Sequence, residues 1–97
     1  MPKYQAPQSL GSVLKDVISS LGIDSRLADA RIVAVWEDIV GERIGREVEK
    51  AWVKGDRLIV KIKSAVWRQE LHLNRESWRR RLNEELGEDR INHIVFR

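Results

Sequence analysis

The sequence predicts a two-layer α+β domain with the element order α-α-β-β-α-α-β. Three observations lead to this prediction. Apolar residues recur at helical spacing over residues 10–21 and 28–39, two β-branched runs flank a glycine turn at residues 54–56, and two further helical segments precede a final β-branched run. A helical crossover between strands of one sheet makes the last strand parallel to a neighbour, with the helices on one face of a three-stranded sheet.

The first two helices carry clear boundary signals. Ser9 can cap the first helix, over residues 10–21, and Gly22 follows it where a left-handed stop is expected. The second helix is predicted to start after Asp24 or Ser25 and to end at Gly41. Residues 42–46 predict one further helical turn, to which we assign no function.

The hairpin is predicted from two runs at residues 48–53 and 57–63, with Gly55 supplying the positive φ of the turn. The second run alternates between a set that should be buried and a set on a partly solvated face. These sets are Leu58, Val60 and Ile62, and Ile59, Lys61 and Lys63. In the first run Trp52 alternates with Val48 and Lys50, while Ala51 and Val53 share the other face, so its ring is expected to be exposed near the hairpin tip.

The segment after the hairpin predicts two helices and a strand. Ser64 caps a helix that carries Trp67 and Leu71, and a bend near Asn74 separates it from a helix over residues 76–86. Gly87 ends that helix, and residues 90–97 are predicted to form the closing strand.

Length and composition favour one folded domain. Of the 97 residues, 42% are hydrophobic and 34% charged, a balance that can fold while keeping a charged exterior. We expect a flexible tail at residues 1–8 and one domain over residues 9–97. Cysteine is absent, which excludes disulfides, thiolate ligands and cysteine nucleophiles. No apolar run reaches the ~18 residues of a membrane span, so we expect a cytoplasmic protein without a membrane partner.

No residue set predicts an active site. His72 and His93 lack an HxxxH or HExxH partner, and neither a nucleophile elbow nor a phosphate-binding glycine loop is present. We therefore expect a protein that is not an enzyme and that has no catalytic residues, no metal and no cofactor.

The positive charge is concentrated in the second half of the chain. Residues 1–42 hold four Lys and Arg against six Asp and Glu, whereas residues 43–97 hold fourteen against nine. The candidate nucleic-acid-binding residues are Lys61, Lys63, Arg68, Arg75, Arg79, Arg80 and Arg81, because arginine suits phosphate through its permanent charge and planar fork. On an unbroken helix, Arg68, Arg75 and Arg79 would share one edge. The alternative is a solvated face on which neighbouring glutamates offset the arginines.

Four tryptophans raise the alternative of base stacking. Trp36, Trp67 and Trp78 lie on apolar helical stripes, which predicts core packing for these three. For Trp52 there are two alternative roles, a nucleic-acid contact and a protein contact.

The element order resembles the type II KH fold, and the chain is similar to the DciA family over residues 9–97. The resemblance rests on an ordered set of motifs rather than on any one of them. The set comprises Leu10-Gly11 with Leu14, Leu21-Gly22, Trp36 with Ile39-Val40-Gly41, Gly55 before Leu58 and Val60, Ser64 with Trp67 and Glu70-Leu71, Leu82-Asn83, Gly87, Ile94 and Phe96.

The resemblance implies a KH-like domain of a bacterial protein that engages the replicative helicase DnaB, promotes its loading and contacts DNA, single- or double-stranded. One feature departs from nucleic-acid-binding KH domains. Residues 71–76 replace their GxxG loop and contain no glycine, so a close backbone approach of the usual kind is not expected. A KH-like RNA-binding module and a pure protein-interaction domain are the alternatives.

Overall fold

The computed structural model describes residues 23–97, and within them three helices and a three-stranded sheet follow one another in the order α-β-β-α-α-β. The predicted tail at residues 1–8 and the predicted helix at residues 10–21 lie outside the described residues. The α+β class is confirmed, and each element predicted after residue 22 is present.

Helix α1 spans Ile23–Gly45 and is interrupted once. Gly41 has φ 77° and ψ 179°, a backbone conformation that glycine adopts far more easily than other residues. The main helix therefore ends at Gly41, as predicted, and one short helical turn leads the chain into the sheet.

The sheet consists of β1 (Val48–Lys54), β2 (Arg57–Ile62) and β3 (His93–Phe96), in that spatial order. β1 and β2 form the predicted antiparallel hairpin, whose turn contains Gly55 with φ 65°. β3 pairs with β2 in parallel, as the helical crossover requires. β2 is thus the central strand.

The crossover consists of α2 (Ala65–Leu73) and α3 (Arg75–Leu86). The Ser64 hydroxyl accepts a 3.3 Å hydrogen bond from the Trp67 N–H, which caps α2 as predicted. Asn74, with φ −104° and ψ 17°, separates the two helices. Gly87 ends α3 at φ 79°, and its N–H donates to the carbonyls of Asn83 and Glu84.

The core lies between the helices and one face of the sheet, here called the inner face. Trp36 is fully buried, with ring centroids 5.7 Å from Trp78 and 5.8 Å from Phe96. Trp67 and Trp78 are partly buried and pack against the same cluster, so the predicted core role of these tryptophans is confirmed. The buried cluster comprises Ile32, Trp36, Val40, Leu58, Val60, Ile62, Leu71, Leu82, Leu86, Ile91, Ile94 and Phe96.

The prediction that the last strand begins at residue 90 was wrong, because residues 90–92 are held by bonds outside the strand ladder. The buried Asn83 amide donates to the Ile91 carbonyl at 2.8 Å, and its oxygen accepts from the Ile91 N–H at 2.9 Å. The Asn92 N–H donates to the Asp56 carbonyl at 2.8 Å. Pairing with β2 therefore starts at His93.

The expected alternation in β1 was wrong at Val48. A bulge between Val48 and Lys50 shifts the register, so that Val48 lies opposite Ile62 and packs against the core. Lys50, Trp52 and Lys54 consequently share the face of the sheet that points away from the helices.

Candidate nucleic-acid interface

The sheet face opposite the helices, here called the outer face, carries an apolar row across all three strands. Trp52 on β1 lies opposite Ile59 on β2, and Ile59 lies opposite Val95 on β3. Ile59 is only 4% exposed although no described helix covers it, because its two cross-strand neighbours flank it. Trp52 and Val95 remain partly exposed.

A row of basic side chains lies on each side of this apolar row. Paired positions on the three strands place one row at Lys54, Arg57 and His93, and the other at Lys50, Lys61 and Arg97. Arg97 continues the parallel pairing, because its N–H donates to the Val60 carbonyl and its own carbonyl accepts from the Ile62 N–H. Successive rows are two residues, or about 6.6 Å, apart along each strand.

The indole of Trp52 is in contact with cations of the neighbouring row. The Lys50 Nζ lies 5.1 Å and the Arg97 Cζ 5.9 Å from the ring centroid, both within cation–π range. Both cations belong to exposed residues, so they can leave the ring for a phosphate group without uncovering the core.

The outer face is electropositive. It holds five Lys and Arg side chains, and the carboxylate of Glu49 lies 3.5 Å from one of them, Lys61. Asp56 lies at the hairpin turn, where the amide of Asn92 donates to it at 2.8 Å and lowers its pKa. Both ion-pair partners are more than half exposed, so solvent screens the Glu49–Lys61 attraction and the face keeps its positive potential.

A groove at the edge of β3 that faces away from β2, here called the edge groove, continues this surface. Arg57 and His93 from the outer face line it together with His72 and Arg75 from the junction of α2 and α3. The Arg75 guanidinium donates to the His72 carbonyl at 3.0 Å, which keeps the side chain at the junction. At this junction the Arg75 guanidinium supplies a positive charge.

The structure distributes the predicted residues over several places. Lys61 lies on the outer face and Arg75 in the edge groove, while Lys63 is exposed just after β2. Arg68 donates to the Ile62 carbonyl at 3.2 Å and is half-buried, so it serves the junction between sheet and α2.

The other helical arginines face different surroundings. Arg79 pairs with Glu76 at 3.1 Å and lowers the pKa of that carboxyl. Arg80 lines a groove with Glu84, Glu88 and Asp89, and the Arg81 guanidinium lies 5.6 Å from the centroid of the Trp78 ring. The break at Asn74 ends the helical phase on which a common edge for Arg68, Arg75 and Arg79 depends.

Four cations of the outer face were not predicted from the sequence: Lys50, Lys54, Arg57 and Arg97. A signal was present for two of them, since Lys50 and Lys54 alternate with Trp52. The positions of Arg57 and Arg97 depend on the register between β2 and β3, which the pattern of either strand alone does not specify.

Within residues 23–97, no helix combines the length and the apolar character that crossing a bilayer needs. Residues 9–96 match the model of the family described as "Dna[CI] antecedent, DciA". Among curated proteins, a UPF0232 protein of Mycolicibacterium smegmatis (strain ATCC 700084 / mc(2)155) is 28% identical over 72 residues, which are 74% of this chain. The match covers 37% of the length of that relative. No solved structure matches the chain.

Proposed function

The chain belongs to the DciA family, and from this membership we propose that it is a non-enzymatic adaptor of DNA replication that binds the replicative helicase DnaB and DNA and promotes loading of the helicase. Its sequence contains no Walker motif, so ATP hydrolysis would be supplied by the helicase. A cytoplasmic location follows from such a role.

The observation that best supports a DNA contact is the continuity of the basic rows with the edge groove. Arg57 and His93 belong to both, so one positively charged path runs from β1 across the sheet to the junction of α2 and α3. Lysine and arginine along such a path can neutralise successive phosphates, and the released counterions drive binding. Arginine adds two-point hydrogen bonding to phosphate oxygens.

The helicase contact is tested by purification of the tagged full chain from nuclease-treated bacterial extract. We expect DnaB to co-purify, and we expect purified chain to increase the amount of DnaB loaded on a single-stranded template. Recovery of DnaB without any increase in loading would contradict the loading role, and absence of DnaB would contradict the adaptor function.

The DNA contact is tested with two sets of substitutions that remove equal charge. The first set, Arg57→Ala, Lys61→Ala and Arg75→Ala, removes cations from the outer face and edge groove. The second, Arg79→Ala, Arg80→Ala and Arg81→Ala, removes the predicted arginines that contact Glu76, acidic neighbours and Trp78.

We expect the first set to weaken binding to DNA at low salt much more than the second. The opposite order would move the DNA contact to α3, and no retention on DNA by the unchanged protein would remove DNA binding from the proposal. Preferential crosslinking to cellular RNA would instead favour the RNA-binding alternative. Partner binding that neither set of substitutions weakens would favour a pure protein-interaction domain.

A further inference from the structure

We propose that the outer face binds single-stranded DNA, with bases on the Trp52 row and phosphates on the two basic rows. This inference rests on the proposed DNA contact and assigns it a surface and a strand preference. The helical arginines have no part in it.

The rows of the outer face match the two chemical parts of a nucleic-acid strand. Single-stranded nucleic acid presents flat apolar bases and a charged backbone, and proteins hold it with aromatic faces placed along a basic groove. Trp52, Ile59 and Val95 form an apolar strip between two rows of basic side chains. Bases on the strip would bring the attached phosphates within reach of either row. A duplex has its bases stacked inside, so it can use the basic rows but not the indole.

Trp52 has contacts that core packing does not explain. Its ring is partly exposed on a face that no described helix covers, and two exposed cations, Lys50 and Arg97, lie over it. Burial in the core explains Trp36, and packing against the core explains Trp67 and Trp78, but neither explains Trp52. An arriving base could take the place of a cation on the ring while that cation moves to the adjacent phosphate.

The charge of the outer face favours a polyanion as its ligand. Apart from the paired Glu49, no side chain of the two rows and the strip is a carboxylate, so these side chains complement a polyanion with flat apolar groups better than they complement the mixed surface of an average protein. Single-stranded DNA has this chemistry, and it is the form of DNA that a helicase loader meets at an opened duplex.

The experiment compares binding of the full chain to a labelled mixed-sequence DNA 20-mer, to its duplex and to the RNA 20-mer of the same sequence. The variants are Trp52→Leu, which removes the aromatic ring but keeps apolar cover on Ile59, Trp52→Phe, which keeps a ring, and the pair Lys50→Met with Arg97→Met. Urea unfolding verifies that each variant is folded.

We expect Trp52→Leu to weaken single-strand binding by about 5- to 150-fold, the range for one stacked base, with duplex binding changed less than about 2-fold. Trp52→Phe should restore part of the loss, and the paired Met substitutions should weaken both forms of DNA. Single-stranded DNA should also quench the tryptophan emission of the unchanged protein, and Trp52→Phe should remove most of that quenching.

Equal losses for single strand and duplex in Trp52→Leu, or no quenching on binding, would overturn the stacking site. If the paired Met substitutions still weakened binding, the proposed DNA contact would stand without the stacking site. Tighter binding of the RNA 20-mer would overturn the assignment to DNA. Absence of binding to every oligonucleotide at low salt would overturn the inference and the proposed DNA contact together.

Discussion

Replacement of Asn83 by leucine should cause one of the larger losses of stability available in this chain. Asn83 is 4% exposed, and its amide makes hydrogen bonds of 2.8 Å and 2.9 Å to the carbonyl and N–H of Ile91, a residue that is itself fully buried. Leucine has the same number and branching of side-chain heavy atoms but is bulkier and can neither donate nor accept a hydrogen bond. Both backbone groups of Ile91 would therefore stay buried without these partners.

The magnitude follows from those two groups. A buried donor or acceptor left unpaired costs about 1–3 kcal/mol, so two of them predict a loss of about 2–6 kcal/mol in the free energy of unfolding. That is a large part of the ~5–15 kcal/mol that holds an average domain together. The assay is urea unfolding with the m-value compared between variants, because an unchanged m-value means that the midpoint reports stability.

Two control variants isolate the cause. Asn74→Ala removes an exposed amide that donates to the Glu70 carbonyl at 2.9 Å. This variant should lose less than about 1 kcal/mol in the free energy of unfolding. Asn83→Asp keeps an acceptor for the Ile91 N–H but buries a carboxyl, whose pKa must rise because burial disfavours its charged form. A raised pKa in the folded state makes this variant least stable at neutral pH, and its deficit should shrink as the pH falls through that pKa. A loss below about 1 kcal/mol for Asn83→Leu would refute the reasoning.

Three further predictions follow from features described above. If all five Lys and Arg of the outer face neutralise phosphates, the logarithm of single-strand affinity should fall against the logarithm of salt concentration with a slope of about −3.5. The double variant Lys50→Met with Arg97→Met should make this slope shallower by about 1.4. An unchanged slope would contradict a phosphate contact of these two residues. Gly87→Ala should cost about 1–2 kcal/mol in urea unfolding, since the added methyl group meets no atom within 4 Å and only the φ of 79° is strained. The lowered pKa of Asp56 means that its contribution to stability is present above its unfolded pKa and is lost as the pH falls through its folded pKa. Asn92→Ala should raise that pKa in an NMR titration, with the stability difference from the unchanged protein shrinking in acid.

Much of the described fold could be predicted because its signals are local. Ser64, Gly55 and Gly87 each mark a boundary through their own hydrogen bond or backbone angle, and the alternation from Leu58 to Ile62 identifies the inner face of β2. These features depend on residues close together in the sequence. A local sequence pattern is therefore enough to predict these boundaries and the inner face of β2.

The start of β3 and the inner position of Val48 depend on residues that are distant in the sequence or on another strand, so a local pattern does not predict them. The start of β3 depends on Asn83, eight residues before Ile91, and on Asp56 across the sheet. The inner position of Val48 depends on a bulge that appears only when β1 is paired with β2. The basic rows likewise combine residues of three strands, so the pattern of any single strand shows only a third of the surface.

Within residues 23–97 the helices cover one face of the sheet, and this separates two sets of side chains along the same three strands. Inner-face positions carry the packing that keeps the chain folded, whereas most outer-face positions carry charge that the fold does not need. Substitutions in one set can therefore accumulate with little consequence for the other. Ile59 is the exception among the described outer-face residues, since it is buried and lies within the surface that we propose for DNA binding. At this position, the stability of the sheet and the proposed recognition depend on the same side chain.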